Sequence, residues 1–299
     1  MKSKKQKELE GKLGAAALRY VQKRLRRKSA TQAEETGAKL GRLIRRVGKK
    51  RFERAKENLK LAFPDWSEEK RESTAEKVFE HFGIVSADFL RSDKLTKSEI
   101  NASMEVVGLE HLDGALAGGN GALLITGHFG NWERLANWLS LNGYPLTVVA
   151  RDADDEGVNG ILNQMRMNSG TKVLARGNAA RPILEKLRAN EIVGILPDQN
   201  SKEVYIPFFG HPAGTVLGPG VLHDRTHAPV IPGFCIRLGG GKYRTVFLPP
   251  LVPDPGYETK GEGMMRAIHR TLEAIITEHP EQWLWFHDRW RSARGKGML

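Results

Sequence analysis

From about residue 103 onward the chain alternates short apolar runs with helical patterns, and this alternation constrains the fold more than any other feature. Runs that fit strands fall at 104–107, 122–126, 145–150, 171–175, 192–196, 228–237 and 243–248. Helical patterns fit 109–117, 131–142, 156–168, 179–189, 215–226 and 262–278. Strands that alternate with helices build a mainly parallel or mixed sheet with helices on both faces. Runs such as Ile192-Val-Gly-Ile-Leu196 lack a polar side, as strands covered on both faces do. The expected class is α/β: a mixed, mainly parallel sheet flanked by helices, with an N-terminal helical extension.

That extension covers residues 1–95, ahead of an α/β domain over 96–299. Leu13, Ala17, Tyr20, Val21 and Leu25 recur at helical spacing, and a second stripe runs Leu40, Leu43, Ile44, Val47, then Ala55 and Leu59, stopping at Phe63-Pro64-Asp65. Ser67 is placed to cap a third helix carrying Val78, Phe79, Phe82 and Val85. Charge is concentrated in the same region. Residues 1–60 hold 21 Lys and Arg against 6 Asp and Glu, a balance of +15, whereas the remainder holds 26 against 29, a balance of −3. Such a face can meet nucleic acid, an anionic membrane surface or an acidic protein. Composition favours solvated helix faces over interfacial helices, because the apolar stripes are modest.

The lone Cys235 leaves no internal disulfide and no CxxC metal site, and it sits in a strand-like run as a small apolar residue. His211, His223 and His227 are not spaced as a zinc set, and no metal is expected. No apolar run approaches the ~20 residues that span a bilayer. The charged start, Met1-Lys-Ser-Lys-Lys-Gln-Lys7, lacks the apolar stretch of a secretory signal, so the chain reads as soluble or peripheral and cytoplasmic.

The chemistry converges on Thr126-Gly-His-Phe-Gly-Asn-Trp-Glu133. A buried strand, a glycine-flanked turn and a helix start meet there. Either Gly130 or Asn131 can cap the helix, which places Glu133 in its first turn, where the macrodipole favours a carboxylate. His128 with Glu133 beside it has the composition of a general base and its orienting partner; the plainer alternative is a structural histidine and a helix-start charge. Arg151 follows one strand, Arg166 lies on the next helix and Arg176 follows the next strand; they form an anion clamp or ordinary surface arginines. Pro197-Asp198-Gln199-Asn200 ends another strand and either orders a site loop, holds a substrate hydroxyl or is turn chemistry. Tyr205–Thr215 reads as an apolar loop leading to a helix capped by Thr215, with Phe208 and Phe209 able to wall an alkyl channel or simply to pack. Trp283-Leu-Trp-Phe-His-Asp-Arg-Trp290 favours core packing over a membrane interface.

These segments, taken in order, resemble the lipid A biosynthesis lauroyl/myristoyl acyltransferase family, part of the lysophospholipid-acyltransferase-like group with its His-x4-Asp/Glu motif. The resemblance spans about residues 15–291. It rests on Asn58-Leu-x-x-x-Phe-Pro64, Gly108-x-Glu110, the His128–Glu133 block, Arg151, Arg166, Asp198-Gln199, Pro207-Phe-Phe-Gly210, His279-Pro-Glu-Gln-Trp-Leu-Trp285 and Arg289-Trp290. It implies a glycerolipid-acyltransferase-like fold and an O-acyltransferase that moves a fatty acyl chain from an acyl carrier protein or CoA thioester to a hydroxyl of a membrane glycolipid such as a lipid A precursor. His128 and Glu133 would be catalytic; Arg151, Arg166, Asp198, Gln199, Phe208 and Phe209 would bind substrate. No metal or cofactor is implied beyond the thioester co-substrate. Family members commonly begin with a transmembrane helix, and this chain shows none, so the expected placement is peripheral, on the cytoplasmic face of the inner membrane. The partners expected are an anionic membrane surface, the glycolipid acceptor and acyl carrier protein, with no nucleic acid. Three alternatives stand beside this: another lipid acceptor (phosphatidylinositol mannoside-like or an amino-acid lipid), an inactive relative that only binds lipid, and a basic nucleic-acid-binding protein, against which the absence of any recognition motif counts.

Overall fold

The computed structural model describes residues 4–150, 156–175, 177 and 180–299. Five helices come first: α1 (Lys4–Leu25), α2 (Ala30–Val47), α3 (Lys49–Ala62), α4 (Glu68–Ser92) and α5 (Lys97–Ala102). Ser29 and Gln32 form a reciprocal capping box at the start of α2, and Ser67 caps α4. The alternating part then runs β1 (Met104–Val107), α6 (Leu109–Ala117), β2 (Ala122–Ile125), α7 (Trp132–Leu141), β3 (Leu146–Ala150), α8 (Glu156–Asn168), β4 (Lys172–Ala175), α9 (Ala180–Arg188) and β5 (Ile192–Ile195). It continues with β6 (Val204–Phe208), β7 (His211–Thr215), α10 (Gly218–Thr226), β8 (Val230–Gly239), β9 (Lys242–Phe247), α11 (Glu262–Glu278) and α12 (Arg291–Arg294), with a 3-10 turn at Pro280–Gln282.

Seven strands form one sheet in the order β1-β9-β8-β2-β5-β3-β4. The pairs are parallel except β8 with β9, which are joined as an antiparallel hairpin. The mixed, mainly parallel α/β class is therefore present, with helices on both faces. On one face Leu124, Leu146 and Ile192 pack with Leu112, Leu135 and Leu139. On the other, Leu123, Ile125 and Val193 share a core with Leu59, Val78, Leu187, Ile268 and Trp283. β2, β3, β4, β5 and β8 run in one direction, so their carboxyl ends share one edge, where open α/β sheets bind ligands.

The N-terminal helices close over that edge. Asn58 on α3, fully buried, donates to the carbonyls of Trp285 and His287 at 2.8 and 2.9 Å and accepts from Arg294 at 2.7 Å. Phe63 stacks on Trp66 and meets Phe209 and Trp285 edge-on or tilted. The Asn58 to Pro64 segment thus fastens the helical layer to the C-terminal aromatic run. No helix among the described residues is long and apolar enough to cross a membrane.

The segment expected to be a loop at 205–215 is instead the hairpin β6–β7, separate from the main sheet. Ile206 and Phe208 point into the core while Pro207 is exposed, and the turn takes positive φ at Phe209 and Gly210. Prolines at 207 and 212 and Gly214 mask the strand pattern. Thr215 is the last residue of β7 rather than a helix cap; α10 begins at Gly218, with Pro219 in its first turn.

Candidate active site

Two turns at the carboxyl edge of the sheet build the site. The first leaves β2 and passes through Thr126, Gly127 and His128 to α7. Gly130 adopts φ 56°, and a Cβ there would collide with the Cys235 carbonyl, which accepts from the Asn131 amide at 2.7 Å. Asn131 is the cap of α7, accepting from the Arg134 amide at 3.0 Å. Its own side chain donates to Asp88 at 2.8 Å, and the Arg134 guanidinium donates to the same carboxylate. His81 on α4 completes the support. Burial, with Arg237 nearby, pushes its pKa down to about 3, so the ring is neutral. Its Nδ1 accepts from Arg237 Nε at 3.2 Å and its Nε2–H donates to the Gly130 carbonyl at 3.1 Å.

The second turn leaves β5 as Pro197-Asp198-Gln199-Asn200. Buried Asp198 accepts from the His128 amide at 2.7 Å, from His128 Nδ1 at 2.8 Å and from Trp283 Nε1 at 2.9 Å. Gly127 leaves room for this approach, since a Cβ there would lie 3.1 Å from the carboxylate. Burial alone would raise the Asp198 pKa; the charge of His128 and the hydrogen bonds from His128 and Trp283 outweigh it and hold the group at about 2. Burial lowers the pKa of His128, but the Asp198 charge and hydrogen bond, with the charge of Glu133, outweigh that and raise it. An ionised Asp198 keeps the neutral imidazole's proton on Nδ1 and leaves Nε2 free to accept a proton. Gln199 Nε2 lies 3.4 Å from that nitrogen, and Trp132 stands edge-on to the ring with centroids 5.3 Å apart. Asn200 anchors the turn from behind: its amide donates to His287 Nε2 at 3.0 Å, and its side chain accepts from the Ser292 amide and hydroxyl.

Glu133 is not the residue that orients His128. Both its oxygens accept from Arg166 on α8, from Nε at 3.0 Å and from a terminal nitrogen at 2.5 Å. Nδ1 of His128 is already taken by Asp198, so Glu133 reaches the imidazole through charge alone. Arg166 is likewise occupied, with Asn163 accepting its other nitrogen at 3.0 Å, and is not free to clamp an anion. Arg151 and Arg176 lie outside the described residues.

A cavity of about 840 Å³ opens beside His128. Leu124, Leu135, Ala136, Leu146, Val148 and Gly194 line it on one face of the sheet; Val149, Ile183, Leu184 and Leu222 line it on the other. Glu133, Arg166 and Gln199 add polar groups to the wall, as does Thr126, whose buried hydroxyl has no hydrogen-bond partner among the described residues. This combination of apolar walls and few polar groups suits a ligand with a long alkyl part; such pockets are about 300–1,000 Å³. Phe208 and Phe209 do not line it. Phe208 is fully buried between His269, Trp283 and Trp290, with the Arg289 guanidinium over its ring, and Phe209 packs against Phe63 and Trp285. They belong to the aromatic core, because the hairpin turns them inward. Trp283, which the sequence assigns to core packing ahead of a membrane interface, also donates to the site carboxylate.

Among the described residues, no group of three or more His, Cys, Asp or Glu side chains is arranged to hold a metal ion.

The sequence profile described as bacterial lipid A biosynthesis acyltransferase matches residues 13–292. A lipid A biosynthesis acyltransferase of Haemophilus influenzae is 31% identical over 255 residues, covering 83% of this chain and 78% of that protein. The lipid A biosynthesis lauroyltransferase of Escherichia coli is 28% identical over 263 residues, covering 86% and 84%. A phosphatidylinositol mannoside acyltransferase of Mycobacterium tuberculosis is 30% identical over 192 residues, covering 61% and 58%. The chain is an acyltransferase, and it belongs to the bacterial lipid A biosynthesis acyltransferase family.

Proposed function

We propose that the chain transfers a fatty acyl group from an acyl carrier protein or CoA thioester to a hydroxyl of a membrane glycolipid, with a lipid A precursor as the leading acceptor. The observation that carries this is the His128–Asp198 pair standing at an apolar cavity, with Nδ1 of the imidazole held by the carboxylate. Nε2 takes the proton of the acceptor hydroxyl as its oxygen bonds to the thioester carbonyl carbon. The tetrahedral intermediate then collapses with cleavage of the C–S bond, and the imidazolium returns the proton to the departing thiolate, leaving ester and thiol. Asp198 stabilises the imidazolium by contact and Glu133 by charge. The unpaired Thr126 hydroxyl is available to donate to the carbonyl oxygen as charge develops there. The apolar walls take the alkyl chain. Arg151 remains a candidate for the acceptor's phosphate or the oxyanion.

The placement that fits is peripheral, at the cytoplasmic face of the inner membrane, held by the basic N-terminal region. Each Lys or Arg close to an anionic leaflet adds about 1 kcal/mol. A second acceptor class, phosphatidylinositol mannosides, is favoured by the mycobacterial relative. The test is to incubate the purified chain with each thioester and each glycolipid and to read the ester product by mass spectrometry. A lipid A precursor gaining one acyl chain is expected. Acylation of mannosides alone would select the second reading, and no transfer to any glycolipid would reject both.

A further inference from the structure

α2 presses one face so tightly on α4 that it can carry no side chains there. A Cβ on Gly37 would meet the backbone of Gly83 and Ile84, and one on Gly41 the backbone of Phe79 and Glu80. The flank beside that contact is uncovered. Leu40, Leu43, Ile44 and Val47 are 39%, 55%, 41% and 78% exposed, and their spacing of three, four and seven residues places them in a single stripe. A helix that docks by its small residues and leaves four large aliphatic ones in solvent has its apolar stripe aimed away from the core. Lys39, Arg46, Lys49, Lys50 and Arg51 stand exposed around the stripe with no ion pair among the described residues. The end of α1 repeats the combination, with Tyr20 63% exposed beside Lys23, Arg24 and Arg27.

We infer that the Leu40–Leu43–Ile44–Val47 stripe is the surface by which this chain docks on an anionic phospholipid bilayer, an inference that rests on the peripheral placement proposed above. The aliphatic side chains enter the boundary between headgroups and acyl chains, and the surrounding cations meet lipid phosphates. Charge selects this occupant over a second copy of the chain, whose own +15 segment would bring like charges together. Geometry makes the docking useful. Glu34 of α2 bonds to Arg237 and Gly241 at the carboxyl end of β8, on the same sheet edge as His128. α4 lies between, and its Phe82 packs on Trp132, which stands against His128. A bilayer under α2 is therefore one helix away from the acyl site.

The test is co-flotation of the full chain with vesicles of phosphatidylcholine alone or mixed with phosphatidylglycerol. The wild-type chain is expected to float with the mixed vesicles and not with the neutral ones, less so as salt rises. Leu43→Ser with Val47→Ser should weaken that binding by about tenfold or more, with unchanged thermal midpoint and unchanged acyl transfer to a detergent-dispersed acceptor. Lys39→Glu with Arg46→Glu should weaken it as well. Undiminished flotation of the serine variant would overturn the inference, as would loss of a dimer in place of loss of vesicle binding. If the wild-type chain floats through the stripe but transfers no acyl group in detergent, the chemistry falls and the docking stands. If it transfers in detergent but never floats, the docking falls and the chemistry stands.

Discussion

His128 Nδ1 lies 2.8 Å from Asp198 Oδ1, so a residue 70 positions downstream, rather than the glutamate on the adjoining helix, sets the tautomer of the imidazole. Asp198→Asn removes the larger of the two charges that raise the His128 pKa, leaving burial, the leading cause, to lower it against the Glu133 charge. The acid limb of kcat/KM should therefore move to lower pH, while the maximal rate falls by about 10²–10⁴-fold as the base loses its orienting partner. A pH–rate profile of the variant reads both effects. An unmoved acid limb would remove Asp198 from the base's environment.

The Glu133–Arg166 pair joins α7 to α8 at the cavity wall. Arg166→Met leaves a largely buried carboxylate without its donors and should cost about 1–3 kcal/mol of stability in denaturant unfolding. Adding Glu133→Gln should restore part of that, because the stranded charge is gone. A single variant as stable as the wild-type chain would mean that the pair is not holding the helices.

Close approach of α2 and α4 depends on Gly83, whose added Cβ would overlap the Gly37 carbonyl and the Gly41 backbone. Gly83→Ala should destabilise by about 1–3 kcal/mol, since the clash is with backbone that cannot rotate away. Gly114→Ala on α6 meets nothing within 4 Å and should be neutral or stabilising by up to about 1 kcal/mol. Equal unfolding midpoints for the two variants would contradict this contrast.

Two buried histidines, His81 and His269, and the half-buried His287 set the acid side of stability. Burial is the leading cause in each, lowering His81 and His269 to about 3 and His287 to about 4. Unfolded, they bind protons near pH 6.5, before the folded chain does, so their contribution is present above about pH 6.5 and is lost as pH falls toward 3–4. His128, shifted the other way, opposes this with a single proton. The thermal midpoint should fall steadily from pH 7 to pH 4; a flat profile would contradict the burial of neutral imidazoles.

The central strands β2, β3 and β5 of the main sheet are legible in the sequence because each is an apolar run between helical patterns, and His128 is legible because it sits on a glycine-flanked turn after the first of them. Its partner is not. The meeting of the turns after β2 and β5 follows from their pairing in the sheet, which strand spacing alone leaves undetermined, and Glu133 competes for the role simply by being near in sequence. The β6–β7 hairpin is hidden by its prolines and Gly214, and with it the inward direction of Phe208. Periodicity on α2 is visible, but its outward aim follows from Gly37, Gly41 and Gly83, where the absence of side chains carries the contact.

The most direct measurement of the central claim is the acyl-transfer rate of His128→Ala at saturating thioester and acceptor, in a variant shown to keep the wild-type thermal midpoint. If His128 is the base, the rate falls by about 10²–10⁴-fold. A rate equal to that of the wild-type chain would contradict the assignment of His128, and with it the roles given to Asp198 and Glu133.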